Sequence, residues 1–236
     1  MAGAPRRDEG FDVSRVLVWA VVVAIVATAI GAAFLLPRAG ERVAPPPPTV
    51  APGEFTDEPG AAPAPTTGLF PRAVGEWLDV PAVERSGLEL RTGELRGRFL
   101  VVDFVFTSCR GTCIPLQAAM QKLQAATADA TDVRSVSISV DPANDTTQAL
   151  STWADALQAD RARWHFLRIE EADVRHLMRD GLKVPTADDL IAHSGLFLLV
   201  DPDGAVRGRY SPLEHANWLD VLLADLAKLR AERGAK

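Results

Sequence analysis

Cys109 and Cys113 are the only cysteines in the chain, and they bound a five-residue segment, Cys109-Arg110-Gly111-Thr112-Cys113. Two thiols at this spacing can exchange electrons as a dithiol/disulfide pair, or hold a soft metal ion as thiolates. The run before them, Phe99-Leu100-Val101-Val102-Asp103-Phe104-Val105-Phe106, is nearly continuous in apolar β-formers and predicts a strand over 98–107 buried on both faces. After them Leu116, Ala119, Met120 and Leu123 recur at helical spacing, with Pro115 suited to the first turn. The thiols therefore sit where a buried strand hands over to a helix. The positive end of the helix dipole, the unpaired N–H groups of its first turn and the charge of Arg110 all favour ionised sulfur there. The plain alternatives are two small buried hydrophobes or one inert structural disulfide.

A structural zinc site wants four ligands, commonly two such cysteine pairs or added histidines, and this chain offers one pair. Two soft thiolates with an imidazole suit Cu(I), which is content with low coordination. The histidines are His165, His176, His193 and His215. His165 adjoins Trp164 and reads as packed; His176 falls on a helix surface; His215 lies near the start of the last helix. His193 stands just before an apolar strand, where a loop could aim it at the cysteine end of a sheet. By spacing alone, a lone histidine is more often structural than a ligand.

The elements that must position these groups alternate. Val133–Val140 predicts a second strand, Asp145 an N-cap, and Leu150, Trp153, Ala154 and Leu157 the buried face of the following helix. Trp164–Leu167 reads as a short strand, and Glu170–Asp180 as a helix stopped by a left-handed Gly181. Leu196–Val200, the turn Asp201-Pro202-Asp203-Gly204 and Ala205–Tyr210 form a hairpin, and Leu219, Leu222, Leu223 and Leu226 mark a last amphipathic helix. Alternating strands and helices that end in a hairpin predict an α/β domain with a mixed sheet flanked by helices.

That domain is expected over 71–236, with 20 Lys+Arg against 24 Asp+Glu. Without a basic excess there is no phosphate-binding footprint, so no nucleic-acid partner is expected. Ahead of it, residues 37–70 hold nine of the seventeen prolines, Pro45–Pro48 among them, and predict a disordered tether. Val16–Leu36 carries no charge and, at about 1.5 Å per residue, spans roughly 30 Å, the hydrocarbon thickness of a bilayer. A cleaved signal peptide would have a shorter apolar region and a small-residue cleavage pattern, which Leu36-Pro37-Arg38 lacks. Residues 16–36 are thus expected to anchor the chain in a membrane. Arg6, Arg7 and Arg15 before the span, against Arg38 and Arg42 after it, favour a cytoplasmic N-terminus of residues 1–15.

The ordered set Phe106-Thr107-Ser108-Cys109, the C-x-x-x-C spacing, Ser139-Val140-Asp141-Pro142 with Asp145-Thr146, and His193-Ser194 before Leu199-Val200-Asp201 resembles the Sco/SenC proteins. These are membrane-anchored copper chaperones of thioredoxin-like fold that serve cytochrome c oxidase. The resemblance implies copper, as Cu(I) with Cu(II) as a second state, and Cys109, Cys113 and His193 as its ligands. It implies as partners a thiol reductant and the copper-accepting subunit of a terminal oxidase, and a C-terminal domain outside the cytoplasmic membrane. Asp141 would shape a loop rather than bind metal. The family usually has proline directly after each cysteine, whereas this chain has Arg110 and Ile114, with proline delayed to Pro115. This departure bears on redox potential and partner recognition more than on metal binding.

The competing function is a thiol–disulfide oxidoreductase acting on extracytoplasmic protein thiols, with Cys109 and Cys113 as the redox pair. Thioredoxin-type enzymes separate their cysteines by two residues rather than three. A peroxiredoxin-like peroxidase would place a proline shortly before Thr-x-x-Cys, but no proline lies between Pro81 and Pro115, and Thr107 is only two residues before Cys109. A tethered interaction domain is the remaining alternative.

Overall fold

The computed structural model describes residues 67–70, 72–184 and 195–235. Among them, eight strands form one sheet: β1 Gly68–Leu69, β2 Pro81–Glu84, β3 Glu89–Arg91, β4 Phe99–Val105, β5 Val133–Ser139, β6 Trp164–Arg168, β7 Phe197–Val200 and β8 Val206–Tyr210. Their order is β1-β8-β7-β4-β5-β6-β2-β3. β4, β5 and β6 are parallel neighbours, in register from Phe99↔Val133 and Ser135↔Trp164, and β7 runs antiparallel to β4 from Leu100↔Val200 to Val102↔Leu198. The sheet is therefore mixed, as the alternation of elements predicts. Its outer pairs are antiparallel.

Every residue of β4 is buried, because the strand is central and covered on both faces. Phe99 and Val101 face a layer made by α1 (Cys113–Ala126), α2 (Thr147–Ala156) and α4 (Trp218–Gly234), through Leu116, Met120, Leu123, Leu150, Leu222 and Leu226. Leu100, Val102 and Phe104 face the other core, with Trp77, Val80 and the Val174 and Leu177 of α3 (Glu171–His176) and the turn after it. The period of two along β4 thus feeds two separate cores.

Three sequence expectations are corrected. Asp145 does not cap α2: Thr146 does, accepting the Ala149 N–H at 3.1 Å, while Asp145 is fully buried and turned toward the end of β4. The helix expected over Glu170–Asp180 is regular only to His176 and widens into a π-helical turn at Leu177–Gly181. Gly181 is not left-handed; Lys183 takes that conformation, at φ 57°. Gly181 is required by space instead. A Cβ there would lie 2.7 Å from the Glu76 carbonyl oxygen.

The same contact constrains Gly75, where a Cβ would stand 2.3 Å from the Gly181 carbonyl oxygen, a backbone atom that cannot swing aside. Gly75→Ala is therefore expected to destabilise the domain by about 1–3 kcal/mol. The check is a lower urea midpoint at unchanged denaturant slope. β1 adds to the sheet two residues that composition assigns to the tether, and pairs Gly68↔Arg209. The apolar segment 16–36 lies outside the described residues, among which no helix is long and apolar enough to cross a membrane.

Candidate functional site

β4 ends at Val105, and the chain turns through Phe106–Thr112 before α1 begins at Cys113. The Cys109 N–H donates to the Phe106 carbonyl at 3.1 Å, and the Ile114 N–H to Gly111 at 3.2 Å, so the segment is a pair of tight turns rather than helix. Pro115 falls in the first turn of α1, where a missing N–H costs nothing. Cys113 is wholly buried against the α1 side of the sheet, and Cys109 is half-buried at its edge. The two thiols lie close enough for Cys109 to act directly on the Cys113 sulfur, as does the Phe106 backbone. The two thiols meet as their position at the strand–helix junction predicts.

Their electrostatics differ from that prediction at Cys113. Burial pushes its thiol far up, the Cys109 side chain and the nearby Asp103 push the same way, and only the Phe106 N–H opposes them. The helix N-terminus is present, but removal of the sulfur from water outweighs it. Arg110 is exposed.

Two carboxylates missed as site residues underlie the segment. Asp103, on the α1 face of β4, is fully buried; its carboxyl accepts the Gln117 amide at 2.5 Å and the Ser137 hydroxyl at 2.6 Å. Ser137 in turn accepts the Trp164 indole N–H at 2.9 Å. Burial raises the Asp103 carboxyl to about 7, against the pull of those two donors. Asp145 accepts the Thr107 N–H at 3.0 Å, the Thr107 hydroxyl at 2.5 Å and the Ser139 hydroxyl at 2.6 Å. Burial raises this carboxyl too, the donors from Ser139 and Thr107 lower it, and Asp141 nearby raises it. The available signal was a lone charged residue, Asp103, inside an otherwise apolar strand run.

Asp141 takes the loop-shaping place expected of it: its carboxylate accepts both Asn144 amide bonds, and its carbonyl accepts the N–H groups of Asn144 and Asp145. The histidines separate. His176 is exposed at the end of α3 and pairs with Asp180 at 2.8 Å. His165 is on β6, its imidazole pKa lowered mainly by burial. His215 lies in the turn before α4, its Nε2 buried without a partner. His193 lies outside the described residues. Among the described residues no three His, Cys, Asp or Glu side chains are grouped to hold a metal ion, and both cysteines are free thiols.

Comparison with known proteins agrees with this fold. The SCO1/SenC family model matches residues 81–229. The SCO1 protein homolog of Bacillus subtilis is 32% identical over 145 residues, 58% of this chain and 75% of that one. A protein of Stutzerimonas stutzeri named for copper binding is 32% identical over 134 residues, 53% of this chain and 64% of that one. The solved structure of BsSco, a member of the Sco family of cytochrome c oxidase assembly proteins with an identified disulfide switch, is 26% identical. It superposes with a TM-score of 0.57, covering 66% of this chain and 95% of the other. The architecture is thus the Sco-like, thioredoxin-type α/β fold. With a family match over more than half of its residues, the chain belongs to the SCO1/SenC family.

Proposed function

We propose that the protein binds Cu(I) as cargo through the Cys109 and Cys113 thiolates and the His193 imidazole, and delivers it to the copper-accepting subunit of a terminal oxidase during assembly. The observation that carries this reading is the meeting of the chain's only two cysteines at the end of β4. Copper binding and oxidase assembly are what its relatives are named for. β7 starts beside the finish of β4, so Gly195, two residues before β7, is at the thiol end of the sheet. His193 is two residues earlier still, a reach of about 7 Å for extended chain, which supports it as the third ligand.

The chain's own groups set the conditions for loading. Both sulfurs must be unprotonated to hold the ion, so a Cys109–Cys113 disulfide and bound Cu(I) exclude each other. Outside a membrane such a pair tends to be oxidised, and a thiol reductant is then a required partner. The uncharged segment 16–36 supports a single-pass anchor in the cytoplasmic membrane, with the domain on the outer side and 37–70 as its tether. Thr67 accepts the Ser211 N–H near the end of β8, which is also the thiol end, so the preceding chain joins the domain there.

Thiol–disulfide exchange with other proteins is the second reading, favoured by the contact between the two sulfurs and by the disulfide switch of BsSco. One genetic experiment separates the two. Deletion is expected to lower oxidase activity, added copper to restore part of it, and His193→Ala to reproduce the deletion while both thiols remain. A fully functional His193→Ala strain at low copper would overturn delivery in favour of exchange.

A further inference from the structure

We propose that Asp145 is a positioning residue for the thiol pair, acting through Thr107 to hold the turn that carries Cys109 against Cys113. The inference rests on reading Cys109 and Cys113 as a functional pair, but not on copper being their cargo. Asp145 is fully buried, and among the described residues its carboxylate meets neither a cation nor a helix N-terminus. Its three bonds to these residues go to the exits of two adjacent strands: two to Thr107, just past β4, and one to Ser139, the last residue of β5. Ser139 is itself fixed, because its hydroxyl oxygen accepts the Asp141 N–H at 3.1 Å. Burying a carboxylate is costly, and the three bonds, two of them to hydroxyls at 2.5 and 2.6 Å, offset that cost in part.

Thr107 stands in the middle of the contacts that bring the sulfurs together. On one side of it the Phe106 N–H reaches the Cys113 sulfur and the Phe106 carbonyl accepts the Cys109 N–H. On the other side, two residues on, is Cys109. A restraint on Thr107 therefore fixes both halves of the pair relative to the sheet. Disulfide closure tolerates only a narrow range of separations, with Cα atoms about 4.4–6.8 Å apart. Loosening the turn lowers the effective concentration of one thiol at the other, which favours the dithiol.

The test is thiol–disulfide equilibrium of the full chain with glutathione. The two protein thiols form one S–S bond as one glutathione disulfide is cleaved to two glutathione thiols, the two electrons and two protons passing to glutathione. Asp145→Ala, which removes the oxygen that accepts both Thr107 donors, and Thr107→Val are each expected to move the equilibrium constant at least tenfold toward the protein dithiol, about 30 mV for this two-electron couple. Thr107→Ser keeps both donors and is expected to match the natural protein. Thr107→Val keeps the side chain's shape and removes only the hydroxyl donor, and it decides the matter should Asp145→Ala fail to fold. Lowered melting temperatures with an unchanged equilibrium constant would overturn the proposal, leaving Asp145 as a structural clasp. Because no copper enters the measurement, its result stands apart from the cargo reading, which fails instead if the reduced natural protein binds no Cu(I).

Discussion

Cys113→Ala is expected to lower the Cu(I) affinity of the reduced protein by more than about 100-fold, beyond the 10–100-fold typical of changes outside the ligand shell. The natural protein is expected to bind one Cu(I) when reduced and none when oxidised to the disulfide. Competition with a chelator of known affinity, at several pH values, reads both the stoichiometry and the loss. The pH dependence carries a further signature of this site. Burial holds the Cys113 thiol protonated through neutral pH, so the ion must displace that proton as it binds. One proton released from Cys113 makes the affinity rise about tenfold per pH unit from 6 to 8, and any proton lost by other ligands adds to the slope. Alanine at 113 removes the sulfur and that dependence together. Affinity and pH slope unchanged in Cys113→Ala would remove the buried sulfur from the metal site.

Parts of this site are legible in one dimension because they rest on period and adjacency. The apolar run of β4, the helical spacing of Leu116, Ala119, Met120 and Leu123, and the turn residues Asp201–Gly204 are each local patterns, and each element forms where expected. The meeting of Cys109 and Cys113 follows from the same adjacency. The edges of the sheet do not. β2 opens on Pro81 and β3 has three residues, too short for a period of two to register, and both are defined by long-range pairing. The carboxylates beneath the thiols are illegible for a related reason. Asp103 finds its donors 14 and 34 residues away, and Asp145 reaches back 38 to Thr107. Beside an apolar helix face Asp145 reads as the cap, and only tertiary contact shows that Thr146 caps while Asp145 turns inward. Gly181 likewise looks like a left-handed stop, whereas its real constraint is the backbone of residue 76 pressed against it.

Asp103→Asn is expected to stabilise the domain at pH 8 and to leave it nearly unchanged at pH 4. In the folded protein, burial holds the Asp103 carboxyl protonated up to about pH 7, against an ordinary value of 3.8. Between those values the folded state binds more protons than the unfolded chain, so stability falls as pH rises through the window. The stability that goes with the raised carboxyl is fully present below pH 4 and lost above about 7. Roughly three pH units correspond to about 4 kcal/mol. Asparagine keeps a carbonyl oxygen to accept the Ser137 hydroxyl, and its amide can donate to the Gln117 side-chain oxygen once that amide turns over, an oxygen otherwise buried without a partner. The charge is gone while both neighbours keep a partner. Asp132 has a lowered carboxyl, held down chiefly by Arg230, and loses its contribution below its ordinary range, so it does not mask the effect. Asp145 is raised by burial and shifts stability with the same sign as Asp103, which is why the comparison must be made between variant and natural protein rather than from one curve. Urea denaturation of both proteins at pH 4, 6 and 8 gives the difference directly. Two stability curves that run parallel from pH 4 to 8 would mean that Asp103 titrates no differently folded than unfolded, and that the polar network beneath Cys113 carries its charge without cost.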